Sequence, residues 1–378
     1  MNKFNSLLLL LSGFFPALVL FGMSSGVILT EYSDQVSGFI LLLVFHGLGM
    51  VVGKMGLDLI LFGQSRESLN AIFLISFLDK LKIFGLAIFF YSVLYFFLVG
   101  DLNKIALMLA LACGLDSLSI VSISSLSGKR EYVRVFLCTV SSYFVLFIGV
   151  IYLELTQNEV NIGILATFFL MGNVVKSIIT YFIVSNYRKF KPEKFVLGML
   201  SGYTILQQVL NFVVFKSDQL IASRSIGNWI DDSLNSFVFL SKTTEIYMGV
   251  SLALGPLIYD KVKIINNQQI LVLKWIAFLW PLVFLTSWTL VTYLQKSINT
   301  FHLIIYSLAV PIGVLLNNML IQELNRKNYR GIFKSQFLAI CFVIAATFGM
   351  LNSSALLIYY LLPFTMVVSY VVLKRNRI

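Results

Sequence analysis

Apolar stretches long enough to cross a bilayer recur along the chain and constrain its fold more than any other feature. A membrane-spanning helix needs roughly 20 mostly apolar residues. Twelve such segments are present, at 7–30, 36–63, 83–100, 104–126, 132–153, 160–184, 195–222, 232–258, 270–294, 299–321, 333–352 and 355–373. Charged residues make up only 12% of the 378 positions, half the roughly 25% share of a soluble domain. The sequence therefore predicts an all-α polytopic membrane protein with about twelve transmembrane helices.

The segments fall into two sets of six, which predicts two six-helix lobes, 1–190 and 191–378. The longest connection between the sets is the charged stretch at 186–194, where Pro192 opposes helix continuation. The first segment follows Lys3 as in a signal peptide, but it is as long as a full span and no small-residue cleavage site follows it. We therefore expect it to be the first helix.

The basic residues predict the orientation of these helices. If the N-terminus is cytoplasmic, the cytoplasmic segments hold 21 Lys and Arg, whereas the outer segments hold only Lys104, Arg224 and Lys296. Cytoplasmic loops of membrane proteins collect Lys and Arg, so both termini are predicted to be cytoplasmic. The same distribution explains the net charge of +11 without a nucleic-acid function, because the basic residues form no single patch.

Eight charged residues remain inside the predicted spans, and they are the candidate functional residues. Each such charge costs at least about 2.5–3.5 kcal/mol near the bilayer centre, so it faces a helix bundle interior or a hydrated cavity. The basic members are candidates for substrate contact in a cavity, and the acidic members are candidates for ion coupling or charge pairing. They are Lys54, Lys176, Lys216 and Lys242, with Asp58, Asp116, Asp218 and Glu245.

Spacing predicts two pairs, because residues three or four apart share a helical face. Lys54 lies four residues before Asp58, and Lys242 lies three before Glu245. These pairs either line a cavity or simply hold helices together.

The other four candidates have no evident partner on their own helices. We expect Lys176 and Asp116 to serve a cavity. Lys216 and Asp218 point to different sides of one helix near its predicted outer end, where they either serve a cavity or snorkel to the interface. His46 is either a proton site or a satisfied interior imidazole. The three cysteines show no metal-ligand spacing, so no metal site is predicted.

Two short stretches carry a resemblance to a known family. The sequence DQLIAS at 218–223, followed by a short loop and a helix with Tyr247, is similar to a pattern after helix 7 of polysaccharide-unit flippases of the Wzx type. The sequence GLDLILFGQSR at 56–66 resembles the end of helix 2 in the same superfamily, and LGPLIYD at 254–260 occupies the comparable place on helix 8. The layout and these patches together resemble the multidrug/oligosaccharidyl-lipid/polysaccharide (MOP) exporter superfamily, from which the polar WIDDS stretch at 229–233 departs.

The resemblance implies a two-lobed transporter of a bacterial inner membrane with a central cavity. It would carry an undecaprenyl-pyrophosphate-linked oligosaccharide, such as an O-antigen unit, from the cytoplasmic to the outer leaflet by alternating access. Lys54, Lys176 and Lys242 would neutralise the pyrophosphate, and Asp58, Asp116 or Glu245 would bind H⁺ or Na⁺. A polysaccharide polymerase and a chain-length regulator are the implied protein partners, alongside membrane lipids, and no cofactor is implied.

Two other functions compete with this one. A drug or cation exporter of the same superfamily should favour acidic over basic cavity residues. A polysaccharide polymerase-type membrane enzyme resembles many-helix proteins with a large outer loop that bears catalytic Arg and His, whereas the outer loops here are short and Arg224 is their only arginine. No phosphate-binding GxxxxGK[ST] motif is present, so direct ATP drive is unsupported. We therefore predict a transporter that is not an enzyme.

Overall fold

The structure is a computed structural model, and it describes residues 3–25, 29–54, 57–58, 61, 77–99, 102–185, 202–224, 231–253, 268–294, 298–325, 328–350 and 358–375. These residues are almost entirely helical and contain no strand, which confirms the all-α class. The first six long helices are α1 (Lys3–Ser24), α2 (Ser33–Gly53), α3 (Phe77–Val99), α4 (Lys104–Gly128), α5 (Tyr132–Thr156) and α6 (Ile162–Ser185). The remaining seven are α7 (Gly202–Arg224), α8 (Asp231–Ala253), α9 (Gln268–Tyr293), α10 (Thr300–Ser307), α11 (Ala309–Asn325), α12 (Tyr329–Met350) and α13 (Ile358–Arg375).

Each of the twelve predicted segments overlaps at least one of these helices. The tenth is divided at Leu308, between α10 and α11. Within the described residues, seven helical stretches are long and apolar enough to cross a membrane: Ser33–Gly53, Leu78–Phe97, Lys104–Gly128, Tyr132–Thr156, Ile162–Ser185, Thr300–Asn317 and Ile358–Arg375. The chain is thus a multi-pass membrane protein, while the count of twelve crossings and the cytoplasmic termini stay predictions.

The chain forms two compact units. The first comprises Met1–Val19 and Val27–Val209, and the second comprises Leu20–Gly26 and Leu210–Ile378. The lobe boundary predicted at 190/191 and the connection at 186–194 lie outside the described residues, as does the LGPLIYD stretch. Most of GLDLILFGQSR and the first two residues of WIDDS also lie outside them.

Close packing of α2, α4, α5 and α6 builds the interior of the first unit. Helix α6 packs against both α4 and α5, and α2 packs against α3, α4 and α6. A Cβ on Gly172 of α6 would lie 2.3 Å from the Ser142 carbonyl oxygen of α5, so only glycine permits this approach. A Cβ on Gly53 of α2 would lie 2.5 Å from the Cβ of Ala87 on α3. Small residues therefore permit the close approach of α5 to α6 and of α2 to α3.

Large apolar side chains cover the outside of the first unit. Phe97 is 80% exposed and Phe182 is 64% exposed, and Phe89 and Leu155 are similarly uncovered. Polar and charged side chains such as Asp116 and Lys176 are buried instead. Apolar groups outside and charges inside are the arrangement that a bilayer solvent favours.

Candidate functional site

Lys176, Asp116 and His46 form a buried charged cluster in the first unit. Lys176 on α6 donates a hydrogen bond to Asp116 on α4, and both are more than nine-tenths buried. His46 on α2 places Nε2 3.7 Å from Asp116 Oδ2, which is too long for a hydrogen bond. The cluster exists because α2, α4 and α6 pack on one another. Lys176 and Asp116, which have no partner on their own helices, are therefore each other's partner.

The ring of His46 contacts residues of α4 and α6. Its ring hydrogen-bonds to the Ala112 backbone and lies edge-on to Phe169, with ring centroids 4.9 Å apart. Its Nε2 atom is buried without a hydrogen-bond partner in the part of the chain that the structure describes. One nitrogen of this imidazole is therefore hydrogen-bonded and the other is not. A buried polar atom left without a hydrogen bond costs about 1–3 kcal/mol.

A second charged pair of the first unit lies at the end of α2. Lys54 caps the helix, and its Nζ donates to Asp58 Oδ2 at 2.6 Å, the pair that the four-residue spacing predicts. The other carboxylate oxygen, Asp58 Oδ1, accepts from Gln208 Nε2 at 3.1 Å. Both charged side chains are more than four-fifths buried. Gln208 completes the coordination of this carboxylate and was not identified from the sequence.

In the second unit, three side chains meet around the Glu245 carboxylate, and we name the four residues the Glu245 cluster: Lys216, Gln219, Lys242 and Glu245. Lys242 donates to Glu245 Oε1 at 2.9 Å and to Oε2 at 3.0 Å, as the three-residue spacing on α8 predicts. Lys216 and Gln219, both on α7, also donate to Oε1. Lys242 further donates to Gln219 Oε1 at 3.3 Å. One carboxylate thus receives two ammonium groups and one amide.

Lys216 lies at a break in α7. Its backbone angles, φ −130° and ψ 16°, are not helical. The snorkelling alternative needs Lys216 to extend away from the bundle, but its side chain bends to Glu245 on the neighbouring helix. The helix break and the ion pair occur at the same residue, a combination that the apolar pattern of the sequence does not reveal.

Asp218 is fully buried beside this cluster. Its Oδ2 accepts a hydrogen bond from the Tyr306 hydroxyl of α10, whereas Oδ1 has no hydrogen-bond partner among the described residues. Snorkelling does not fit a fully buried side chain. The aspartate of the DQLIAS motif is instead fixed by a tyrosine that sequence reasoning missed, since the two residues are 88 positions apart.

All eight candidates thus lie among the described residues and group into three ion-pair clusters and one tyrosine-bound aspartate. Every candidate lysine contacts a carboxylate. Within the described part of the chain, no group of three His, Cys, Asp or Glu side chains could hold a metal ion. The arrangement supplies ion pairs between lysine and carboxylate side chains in both units.

Comparison with known proteins identifies the fold of the chain through similar structures, whereas comparison by sequence identifies no family. No protein-family model matches the chain, and no curated protein matches it. Among solved structures, the chain resembles a multidrug resistance MATE family transporter of the MOP superfamily in an inward-facing conformation. The TM-score is 0.59 at 12% identity, over 98% of this chain and 97% of that chain.

Two further solved structures show the same similarity. An outward-facing MATE family transporter matches with a TM-score of 0.56 and 11% identity, over 99% of this chain and 94% of that one. A MOP superfamily transporter from Pyrococcus furiosus, described as having a binding pocket of reverse polarity that suggests a different function, matches with a TM-score of 0.54 and 11% identity. That match covers 99% of this chain and 94% of that one. The chain therefore has the fold of MATE-type transporters of the MOP superfamily.

Proposed function

We propose that this protein is a membrane transporter that moves a polyprenyl-pyrophosphate-linked oligosaccharide from the cytoplasmic to the outer leaflet of a bacterial inner membrane. It works by alternating access and catalyses no covalent chemistry. The observation that supports this cargo is the placement of four lysines inside the helical units of a MOP transporter fold, with Lys176 and Lys242 only 4% exposed. Such charges are expensive in a membrane and mark substrate or ion pathways.

Lysine suits a lipid-linked pyrophosphate in particular. The ammonium group is a compact charge with three donors that can follow a moving phosphate, and a pyrophosphate carries several acceptor oxygens. The glycan would cross through water while the prenyl tail stays in the bilayer. A polysaccharide polymerase and a chain-length regulator would then use the delivered units.

Ion coupling fits the acidic members of the same clusters. Asp58, Asp116 and Glu245 each contact a lysine, so binding of H⁺ or Na⁺ at the carboxylate would release the ammonium group. A ligand that binds one conformation better than another shifts the equilibrium between them. We propose that such coupling drives the conformational cycle.

A drug or cation exporter is the second candidate, and one observation favours it. The four interior lysines are matched by four interior acids, so the eight candidate residues carry no net formal excess of positive charge. Two of the similar structures are described as multidrug resistance transporters. The Pyrococcus protein, with its pocket of reverse polarity, indicates that pocket charge differs among proteins of this fold.

A cellular experiment tests the cargo. Lipid-linked oligosaccharide is measured on each leaflet in cells that lack this protein and in cells complemented with wild type, Lys242→Ala or Lys54→Ala at matched membrane levels. A flippase predicts accumulation on the cytoplasmic leaflet that wild type clears and the lysine variants do not. Units that reach the outer leaflet but stay unpolymerised would favour the polymerase-type enzyme instead.

A reconstituted assay separates the two transporter candidates. Purified protein in proteoliposomes is offered a fluorescent glycan on a short prenyl pyrophosphate, and separately a fluorescent lipophilic cation with an imposed H⁺ or Na⁺ gradient. Flipping of the glycolipid without cation transport supports the proposed function. Gradient-driven cation export without glycolipid flipping replaces it with the drug exporter.

A further inference from the structure

The Glu245 cluster has the composition of an anion site that is already filled. Glu245 Oε1 accepts hydrogen bonds from Lys216, Gln219 and Lys242, and Oε2 accepts a fourth from Lys242 at 3.0 Å. Among the described ion pairs, Glu245 is the acidic partner of both lysines, and none reaches Asp218. If the carboxylate withdrew, two ammonium groups and an amide would converge on an open position with no anion between them.

Exposure shows from which side this position can be reached. The side chains of Lys216 and Glu245 are 23% and 19% exposed, whereas Lys242 is 4% exposed. Lys242 therefore forms the closed end of the cluster, and Lys216 and Glu245 form its open end. An arriving anion would meet Lys216 first and would compete with Glu245 for it.

The backbone allows such an exchange. The break of α7 at Lys216 interrupts the helix, and interrupted helices at membrane depth occur where the backbone is buried in protein or lines a hydrated cavity. Discontinuous helices form ion and substrate sites in many transporters. Glu245 lies on the continuous helix α8 and can leave by rotating its own side chain.

We propose that Glu245 is a built-in counter-ion that occupies a phosphate-binding site formed by Lys216, Gln219 and Lys242, and that the pyrophosphate group of the cargo displaces it. This inference rests on the proposed function for the identity of the cargo. A phosphate offers more acceptor oxygens than a carboxylate, so each of the three donors can have an oxygen of its own, whereas all three now share Glu245 Oε1. Return of Glu245 to the lysines would then favour release of the cargo, because the two ammonium groups are never left without an anion.

Removal of the competing carboxylate tests the proposal. Binding of inorganic pyrophosphate and of farnesyl pyrophosphate is measured by calorimetry on full-length protein in nanodiscs of zwitterionic lipid. Glu245→Gln keeps the size of the side chain and removes its charge, and it should tighten binding by about tenfold or more. The gain should be lost when Lys216→Gln is added. Glu131→Gln is the matched control, because it removes one exposed carboxylate of the first unit that pairs with Arg134 at 3.8 Å, and it should bind as wild type does.

The two probes distinguish the sources of the phosphate. Tighter binding of both assigns the site to the pyrophosphate group itself, and tighter binding of farnesyl pyrophosphate alone assigns it to a lipid-borne group. No tightening of either, in protein that elutes as a single species, would overturn the proposal. Should Glu245→Gln fail to fold, Glu245→Asp draws the carboxylate back by one methylene, and it should tighten binding in the same direction by a smaller factor.

The outcome is separable from that of the proposed function. Tighter pyrophosphate binding by Glu245→Gln, together with failure of wild type to flip the glycolipid, supports the anion site and removes the flippase. If wild type flips the glycolipid but Glu245→Gln does not bind pyrophosphate more tightly, the flippase is supported and the counter-ion role of Glu245 is excluded.

Discussion

Breaking the Lys176–Asp116 pair should destabilise the first unit strongly. Both side chains are at least nine-tenths buried, so solvent screens their interaction little. Replacing Lys176 by Met leaves Asp116 as a buried carboxylate that has lost its ammonium partner, with the His46 imidazole 3.7 Å away. Removing one partner of a buried pair costs about 3–5 kcal/mol. On the scale of soluble domains of about 200 residues, that loss corresponds to a fall in Tm of about 6–20 °C.

The cysteines of the chain supply the assay. Cys113 and Cys138 are fully buried in the first unit, whereas Cys341 is exposed. In a Cys341→Ser background, a thiol-reactive fluorophore therefore reports unfolding of the first unit as these two thiols become accessible. Thermal unfolding in detergent is followed by the rise in fluorescence.

Two further variants make the experiment decisive. Lys176→Met combined with Asp116→Leu removes both charges, and replacing a buried pair by apolar residues is often neutral or stabilising, so Tm should recover most of the loss. Glu131→Ala breaks an exposed pair with Arg134 and should cost less than about 1 kcal/mol. The reasoning would be refuted if Lys176→Met lowered Tm no more than Glu131→Ala does. It would also be refuted if the double variant had a Tm as low as that of Lys176→Met alone.

Three further predictions concern packing and hydrogen bonding, and each is checked by the same thermal assay or by tryptophan fluorescence. Gly172→Ala should lower the free energy of unfolding by about 1–3 kcal/mol, because its Cβ would lie 2.3 Å from a carbonyl oxygen of α5. Gly85→Ala places its Cβ within 4 Å of no described atom and should raise the free energy of unfolding by about 0.5–1 kcal/mol. Equal effects of the two substitutions would contradict this account. Asn103→Ala should cost about 1 kcal/mol by removing the N-cap of α4, and Asn103→Asp should retain most of the stability. Tyr306→Phe should cost about 1–3 kcal/mol because it removes the hydroxyl that donates to Oδ2 of buried Asp218, and no loss of stability would show that this bond is unimportant.

Residues close in sequence were interpreted best. The Lys54–Asp58 and Lys242–Glu245 pairs follow from four- and three-residue spacing alone, because one turn of helix fixes which side chains are neighbours. The same rule correctly separated Lys216 from Asp218. It is silent about other helices, so Gln208, Gln219 and Tyr306 went unnoticed, although each donates a hydrogen bond to a predicted carboxylate.

The sequence by itself determined the class of protein. Twelve apolar segments exclude a soluble fold, since water cannot solvate that much exposed apolar surface, and the eight charges within them mark the candidate sites because a bilayer interior tolerates so few. Only the tertiary structure decided which charges on different helices meet. Lys176 reaches Asp116 because α4 and α6 pack together, and Lys216 reaches Glu245 where α7 is broken. Such partners depend on how one helix is placed and rotated against another. Side-chain packing between the helices sets this arrangement, and the periodicity along a single helix does not contain it.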